Sequence, residues 1–507
     1  MSFARRLATE QPDEIALADA ERHLGWLEID DILNRGVERL LTADLGPARR
    51  VAVFASNSTE TVLAHLCGLL AGASVVPLNF HLTSEETAFI LRDSGARMLL
   101  VGPQEAERGL AAAREAGLES VVGWRCPAQA GMTGFRNWLD EASGKPPPED
   151  HAPRPNLMYT SGTTGFPKGT ELPPTMFAES ETVAAFTAKL REASWAQFGR
   201  HLAVGPLYHT GPLGAVRILG GGVPVTVLGR FDAEATLRAI EQWRIESSVM
   251  VPTHFIRLLA LPEEVRSKYD LSSLRHIYHT GAACPIEVKK QMLAWWGPVI
   301  HEAYGATEVG TTCRIGPEEW LAHPGSVGKP QPPFEARIVD EAGRTVDAGT
   351  TGQIYFRDTT GRGVRYHDNP EASAAAHLEP GVFTLGEIGH LDEDGYLYIT
   401  DRSSDMVLSG GVNLYPAEAE RILLQHPEIH DAACIGVPHD EMGEELIALV
   451  QATDPAAPPD ADEILSFCRE HLSNYKCPRR VHLRDDLGRT AMGKLNKRAL
   501  RSEFIRS

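Results

Sequence analysis

The 507-residue chain holds seven cysteines (Cys67, Cys126, Cys284, Cys313, Cys434, Cys468, Cys477), none in a C-x-x-C pair. An odd, scattered set argues against a disulfide framework or a zinc site and fits reduced thiols in a cytoplasmic protein. Positive charge is also short: 49 Lys and Arg against 68 Asp and Glu leave a formal charge of -19. Without a basic field to release counterions, nucleic acid and anionic membrane are not the expected partners. The most apolar segment, Val62 to Leu78, is short for a bilayer and contains His65, Gly68, Gly72 and Pro77. It reads as a buried helix followed by a strand, and no membrane span is expected. The N-terminus turns acidic at Glu10 and Asp13 before an apolar core develops, so no signal peptide is expected either. No internal repeat is found.

What is present is ordinary for a globular protein, with 43% apolar and 23% charged residues in a length that suits two to four domains. Val51 to Phe54, Ser74 to Leu78 and Arg97 to Val101 read as strands. Between them lie helices from Glu60 to Leu70 and from a capping box at Thr83-Ser84-Glu85-Glu86 to Gly95. Such alternation predicts a parallel sheet covered on both faces. After the proline-rich stretch 145–155 it resumes with strands Leu202 to Pro206, Pro224 to Leu228, Ser248 to Pro252 and Ile277 to Thr280, and a helix Ala233 to Trp243. From Ala336 to about 400, turn signals between alternating runs predict a smaller β-rich portion. Beyond the polar cluster 401–405, about a hundred residues read as a separate α+β domain. Its expected parts are helices Pro416 to Gln425 and Ala461 to His471 and strands Ala432 to Val437 and Leu446 to Gln451.

The central stretch is Leu157 to Gly169, L-M-Y-T-S-G-T-T-G-F-P-K-G. A strand-like start breaks into small residues whose backbone N–H groups and hydroxyls (Thr160, Ser161, Thr163 and Thr164, around Gly162) suit an anion. Lys168 adds a mobile positive charge, which together is the physics of a phosphate cradle. The NTPase pattern G-x-x-x-x-G-K-[ST] is not met here. A surface linker is the alternative, but linkers seldom follow an apolar run and end in Pro-Lys-Gly. Four further places carry chemistry. In 301–308, Tyr304 offers a ring for a planar base, Thr307 a hydroxyl and Glu308 a carboxylate for magnesium. Glu387 and Arg402 offer a carboxylate and a guanidinium for ribose or phosphate. Gly410 and Gly411 allow close backbone approach. Lys494 stands beyond a turn near the C-terminus, where G-x-x-x-x-G-K from Gly488 continues with Leu495 and reads as a chance match.

Taken in order, Y-T-S-G-T-T-G-F-P-K-G at 159–169, Y-G-A-T-E at 304–308, D-R-x-x-D at 401–405, S-G-G-x-N at 409–413 and G-K at 493–494 resemble the adenylate-forming superfamily. That superfamily includes acyl-CoA synthetases, aryl-CoA ligases, peptide-synthetase adenylation domains and beetle luciferases. The resemblance covers nearly the whole chain. It implies an α/β fold whose large N-terminal domain, 1–400, has parallel α/β sheets and a β-rich portion and binds AMP and the acyl group. A small mobile α+β C-terminal domain, 401–507, follows. It also implies ATP, Mg2+ and coenzyme A as cofactors in two steps: a carboxylate attacks the α-phosphate, then a thiol attacks the acyl carbon and expels AMP. The implied roles place Ser161 to Lys168 over the leaving phosphates, with Thr160 entering that loop, and Glu308 on magnesium. Tyr304 and the backbone at Gly281 and Ala282 hold adenine, and Glu302, Ala303, Gly305 and Thr307 belong to the same nucleotide set. Glu387 and Arg402 take the ribose, Lys494 bridges carboxylate and nucleotide, Ser404 is the hinge, and Gly410 and Gly411 meet the pantetheine of CoA. His209 in Pro206-Leu207-Tyr208-His209 falls near the carboxylate or the thiol channel.

The substrate is expected to be an apolar acid, fatty or bulky and polycyclic. The Asp that holds the ammonium in amino-acid-activating relatives is missing, and Trp295-Trp296-Gly297-Pro298 looks like bacterial acyl-CoA ligases of this kind. Small residues at Gly281, Ala282, Ala283 and Gly310 fit a bulky group. Four departures stand out. Glu387 replaces the usual Asp, Ser404 the usual charged hinge and Gly488 the usual Pro, and Thr170-Glu171-Leu172-Pro173-Pro174 replaces the usual pattern after the loop. They keep open an enzyme that only transfers a preformed acyl adenylate to CoA. A carrier-protein pantetheine as acceptor and a homo-oligomer also stay open. A non-catalytic nucleotide binder is disfavoured by the retained Lys494.

Overall fold

The structure is a computed structural model that describes residues 3–127, 129–160, 168–173, 176, 180–193, 197–340, 342–402, 404–409, 412–439, 442–490 and 493–505. Two parallel sheets form the bulk of the N-terminal part. The first, ordered Ser74–Leu78, Arg50–Phe54, Met98–Val101, Ser120–Gly123, Thr133–Gly134, is wholly parallel. Its three leading strands are buried along their whole length, as their unbroken apolar runs require when helices cover both faces. Ser58 caps the helix Thr59–Leu70 by accepting the Thr61 N–H, and the capping box at Thr83 and Glu86 opens Ser84–Ser94, which stops at Gly95 in the left-handed region, φ 63°.

The second sheet has nine strands. Its parallel centre runs Ile300–Ala306, His276–His279, Ser247–Met250, His201–Ala203, Val225–Val227, Ile15–Ala18, and antiparallel strands close both edges. The strand Ile15–Ala18 crosses from the start of the chain to complete this sheet, a pairing that no local pattern announces. Helix Thr59–Leu70 lies buried in the large core cluster that spans both sheets, against helices Trp26–Thr42 and Thr210–Gly220.

Residues 334–402 form a six-stranded antiparallel sheet. In the C-terminal part, the long antiparallel pair Ile429–His439 and Gly443–Ala452 presents alternate residues to two apolar clusters. Cys434, Ala448 and Val450 pack with helices Pro416–Leu423 and Ala461–His471, while Ile435, Ile447 and Leu449 pack with the helix Lys497–Ile505. One local expectation is corrected. Pro252, read as a strand end, opens the helix Pro252–Leu259, where its missing N–H costs nothing. Lys168 opens the strand Lys168–Glu171, antiparallel to Leu157–Thr160 and in register with Thr160. All seven cysteines are free. Among the described residues no helix is long and apolar enough to cross a membrane.

Candidate active site

The strand Ile300–Ala306, last of the parallel run of the nine-stranded sheet, delivers Tyr304 and then Thr307 and Glu308 to one space. Gly305 makes this turn possible: a Cβ there would stand 2.0 Å from the Gly310 carbonyl oxygen of the antiparallel neighbour. The Tyr304 hydroxyl donates to Glu387 Oε2 at 2.8 Å, joining that sheet to the antiparallel one. Burial pushes the Glu387 carboxyl up, against the pull of Tyr304 and of Arg402, whose Nε lies 3.8 Å from Glu387 Oε1. The Thr307 and Thr210 hydroxyls are 3.2 Å apart.

Thr210 opens the helix Thr210–Gly220, with His209 at the cap position and its ring 4.3 Å from that of Tyr208. The preceding loop is tied down by Asn57, which donates to the carbonyls of Gly205 and Leu228 and accepts the Leu207 N–H at 2.9 Å. Burial, with the Lys494 charge added, pulls His209 down to about 4, so the ring is neutral near pH 7.

Lys494 reaches the same space from the C-terminal part. Burial lowers its pKa, the Arg402 charge lowers it further, and Glu308 and Glu387 oppose this. Two features aim it. Arg489 binds both oxygens of Asp431, at 2.5 and 2.7 Å, and donates to the Gly493 carbonyl at 2.7 Å, fixing the bend. Gly493, at φ 72°, packs against Thr253 of the helix Pro252–Leu259, so closely that a Cβ would meet Thr253 Cγ2 at 2.7 Å. Lys168 Nζ lies 5.6 Å from the Tyr366 ring centre. Burial, with the Glu308 charge and its hydrogen bond added, pushes Tyr366 up to about 12, so Glu308 lies against Tyr366 while also acting on Lys494.

Of the residues named from the sequence, Lys494, His209, Tyr304, Gly305, Thr307, Glu308, Glu387 and Arg402 converge, and Ala303 precedes Tyr304 in the strand. Gly281, at φ 87°, and Ala282 follow the strand His276–His279, beside Ile300–Ala306. The Glu302 side chain is held elsewhere, buried 2.6 Å from Lys289 Nζ and 3.2 Å from His279 Nε2. Burial pushes its carboxyl up, but these two groups more than reverse this and keep it ionised. Ser404 is exposed and bonded to Asp405. Thr160 is placed by its backbone, while Ser161, Gly162, Thr163, Thr164, Gly410 and Gly411 lie outside the described residues. Sequence reasoning missed Asn57, Thr210, Thr253 and Tyr366. No motif carries them, because each acts through a contact made only in the fold. The convergent set suits a nucleotide: Lys494, Arg402 and Lys168 oppose phosphate charge, and Glu308 with Thr307 supplies the hard oxygens that Mg2+ prefers.

A buried lysine brought in from the C-terminal part, a tyrosine ring and a carboxylate beside two packed α/β sheets are the site of an adenylate-forming enzyme. The AMP-binding enzyme family matches residues 4–363, and the AMP-binding enzyme C-terminal domain matches 418–494. The chain belongs to the AMP-binding enzyme family, and within it to the AMP-forming acid–thiol ligases, a class that uses ATP, Mg2+ and CoA. It is 34% identical to the 3-[(3aS,4S,7aS)-7a-methyl-1,5-dioxo-octahydro-1H-inden-4-yl]propanoyl:CoA ligase of Mycobacterium tuberculosis, over 98% of this chain and 97% of that one. It is 32% identical to the indoleacetate–CoA ligase of Aromatoleum aromaticum, over 99% and 97%. The structure of o-succinylbenzoate CoA synthetase from Bacillus subtilis in complex with its acyl-adenylate superposes with a TM-score of 0.78 at 26% identity, over 98% and 97%.

Proposed function

We propose that this chain is a cytoplasmic acyl-CoA ligase that joins an apolar carboxylic acid, fatty or polycyclic, to CoA by way of an acyl adenylate. The observation that carries this reading is the convergence of Lys494 with Glu308, Glu387, Arg402 and neutral His209. A positive charge on a separate, glycine-docked bend has no use in a simple nucleotide binder. The ligation of a polycyclic propanoate and of indoleacetate by two relatives supports a bulky apolar acid.

In the first step the acid's carboxylate oxygen bonds to the α-phosphorus of ATP, and the bond to pyrophosphate breaks with its electrons. Lys494 lies between the two anions and offsets their repulsion, and Tyr304 with Glu387 holds the nucleoside. Glu308 and Thr307 would hold Mg2+, which neutralises charge on the leaving phosphates. Neutral His209 adds no charge to compete with Lys494, and the buried setting keeps water from the mixed anhydride. In the second step the CoA sulfur bonds to the acyl carbon, and the carbon–oxygen bond to AMP breaks. We assign 1–400 to nucleotide and acyl binding and 401–507 to a mobile unit that turns about Ser404, withdrawing Lys494 and bringing Gly410 and Gly411 to the thiol.

A second reading, thioester formation from a preformed acyl adenylate only, draws on Glu387, whose carboxylate already accepts the Tyr304 hydroxyl. One pair of assays separates them. The first measures pyrophosphate release from acid and ATP across a panel of acids, with acyl-AMP and acyl-CoA followed by mass. The second measures CoA-ester formation from supplied acyl adenylate. Lys494→Ala should lower the first by roughly 100-fold or more and leave the second largely intact. Unchanged pyrophosphate release in Lys494→Ala refutes the assigned role; absence of release in the wild type with brisk thioester formation favours the second reading.

A further inference from the structure

The helix Thr210–Gly220 is the crossover between the parallel strands His201–Ala203 and Val225–Val227. It therefore runs back over the nine-stranded sheet from the reacting centre, where Thr210 touches Thr307. Gly211 fixes the face it covers: a Cβ there would meet Val249 Cγ1 at 3.4 Å and Thr280 Cγ2 at 3.6 Å. One turn on, nothing lies within 4 Å of where a Gly214 Cβ would stand. The helix packs on His201–Ala203, Val225–Val227 and Ser247–Met250, and the strands His276–His279 and Ile300–Ala306 continue the same face beside it.

Two rings stand on that continuation. Tyr278 is in register with Val249 and His301 with Tyr278, and residues paired across parallel strands share a face. Their ring centres are 4.9 Å apart and their planes 22° apart, the arrangement of side chains standing up from adjacent strands. His276 and Phe198, 4.1 Å from each other, extend the stack away from the reacting centre. By alternation Thr280 and Ala303 lie on the same face, two residues or roughly 7 Å nearer the chemistry. The opposite face is sealed, with Met250, Ile277 and Ile300 in the helical core, whereas Tyr278 and His301 are only half-buried. Among the described residues neither the Tyr278 hydroxyl nor the His301 ring nitrogens make a hydrogen bond. Burial, with the His276 and Lys289 charges added, pulls His301 down to about 4, so near pH 7 its neutral ring offers one donor and one acceptor. A hydrocarbon chain laid over these atoms would take their water away and return no hydrogen bond.

We propose that Tyr278 and His301 form the far wall of the acyl subsite and select a compact acid, about one ring long, that carries a neutral hydroxyl or oxo group at the end away from its carboxylate. The proposal rests on the acyl-CoA ligase reading and narrows its apolar acid to one that is short and polar at the tip. The Tyr278 hydroxyl donates to that oxygen and the His301 ring donates or accepts beside it. Val249 and the open side of Gly214 take the hydrocarbon between tip and carboxylate.

The test compares 4-hydroxybenzoate and 3-(4-hydroxyphenyl)propanoate with the same acids lacking the hydroxyl, and with dodecanoate. The readouts are kcat/KM for acyl-CoA formation and equilibrium binding of each acid by calorimetry. The wild type should favour a hydroxylated acid over its parent. Tyr278→Phe and His301→Phe keep a ring in the stack and remove the polar atoms, and each should lower the hydroxyl-to-parent ratio by roughly 5- to 100-fold. Tyr278→Ala removes the wall and should raise kcat/KM for dodecanoate. A hydroxyl-to-parent ratio unmoved by both phenylalanine variants overturns the proposal, while turnover of any acid leaves the ligase reading standing. If no acid is turned over, the ligase reading fails by itself and calorimetry decides the subsite. Weaker binding of a hydroxylated acid in either phenylalanine variant supports it, and equal binding in all three proteins overturns it.

Discussion

Gly493→Ala tests whether the docked position of Lys494 governs the first half-reaction. Two penalties arise. Residue 493 has φ 72°, and an L side chain in that region costs about 1–2 kcal/mol. The added methyl also stands 2.7 Å from Thr253 Cγ2 and 3.1 Å from Oγ1, an overlap of the kind that costs about 1–3 kcal/mol when neighbours must shift. The backbone penalty applies wherever the bend persists; the overlap exists only while the bend sits on the helix Pro252–Leu259. Undocking should therefore be favoured, and pyrophosphate release should fall by roughly 10- to 100-fold, each tenfold being about 1.4 kcal/mol. Thioester formation from supplied acyl adenylate should change little. Thr253→Ala leaves only Thr253 Cβ at 3.5 Å from the new methyl and should recover most of the loss in the double variant. Rapid-quench measurement of acyl-AMP formation in both single variants and the double gives the coupling. Equal loss in both half-reactions, or no recovery with Thr253→Ala, refutes the docking argument.

Acid should destabilise the fold early. Burial pulls His65 and His254 to about 3 and His201 to about 4, below the ordinary 6.5. A lowered folded pKa means the unfolded chain binds the proton first, so stability is full above pH 6.5 and is lost as pH falls toward 4 for His201 and toward 3 for His65 and His254, on the order of 2 kcal/mol per histidine by pH 5. Urea midpoints at pH 7, 6 and 5 check this, and a flat profile contradicts it. Lys289→Met should cost about 3–5 kcal/mol, because it leaves the buried Glu302 carboxylate without the ammonium that lies over the Trp320 ring. Lys289→Met/Glu302→Gln should regain a large part in chemical denaturation, and equal loss in both variants would locate the cost in packing instead.

How much was legible in the sequence follows from how local each signal is. The capping box at Thr83 and Glu86, the buried runs Arg50–Phe54 and Ser74–Leu78, and the helices Ala233–Trp243 and Ala461–His471 depend on neighbours within a few residues, and the periodicity displays them. The motif residues Tyr304, Glu308, Glu387 and Lys494 were legible by their order along the chain. The place of Ile15–Ala18 in the nine-stranded sheet, the tie from Asn57 to Leu207, the contact between Gly493 and Thr253 and the bond from Arg217 to the Met176 carbonyl were not. Each joins segments far apart in the chain, and nothing in either segment's own composition announces the other.

The sequence by itself thus determined the kinds of element, the sites of charge and the order of the chemical groups, since these follow from propensity, periodicity and residue type. Only the tertiary structure decided which groups share a space. Glu302 and Tyr304, two residues apart on one strand, point to the same face by alternation, and only the fold decides that Lys289 holds the first and Glu387 the second. Glu387 meets Tyr304 across eighty-three residues because two sheets meet there.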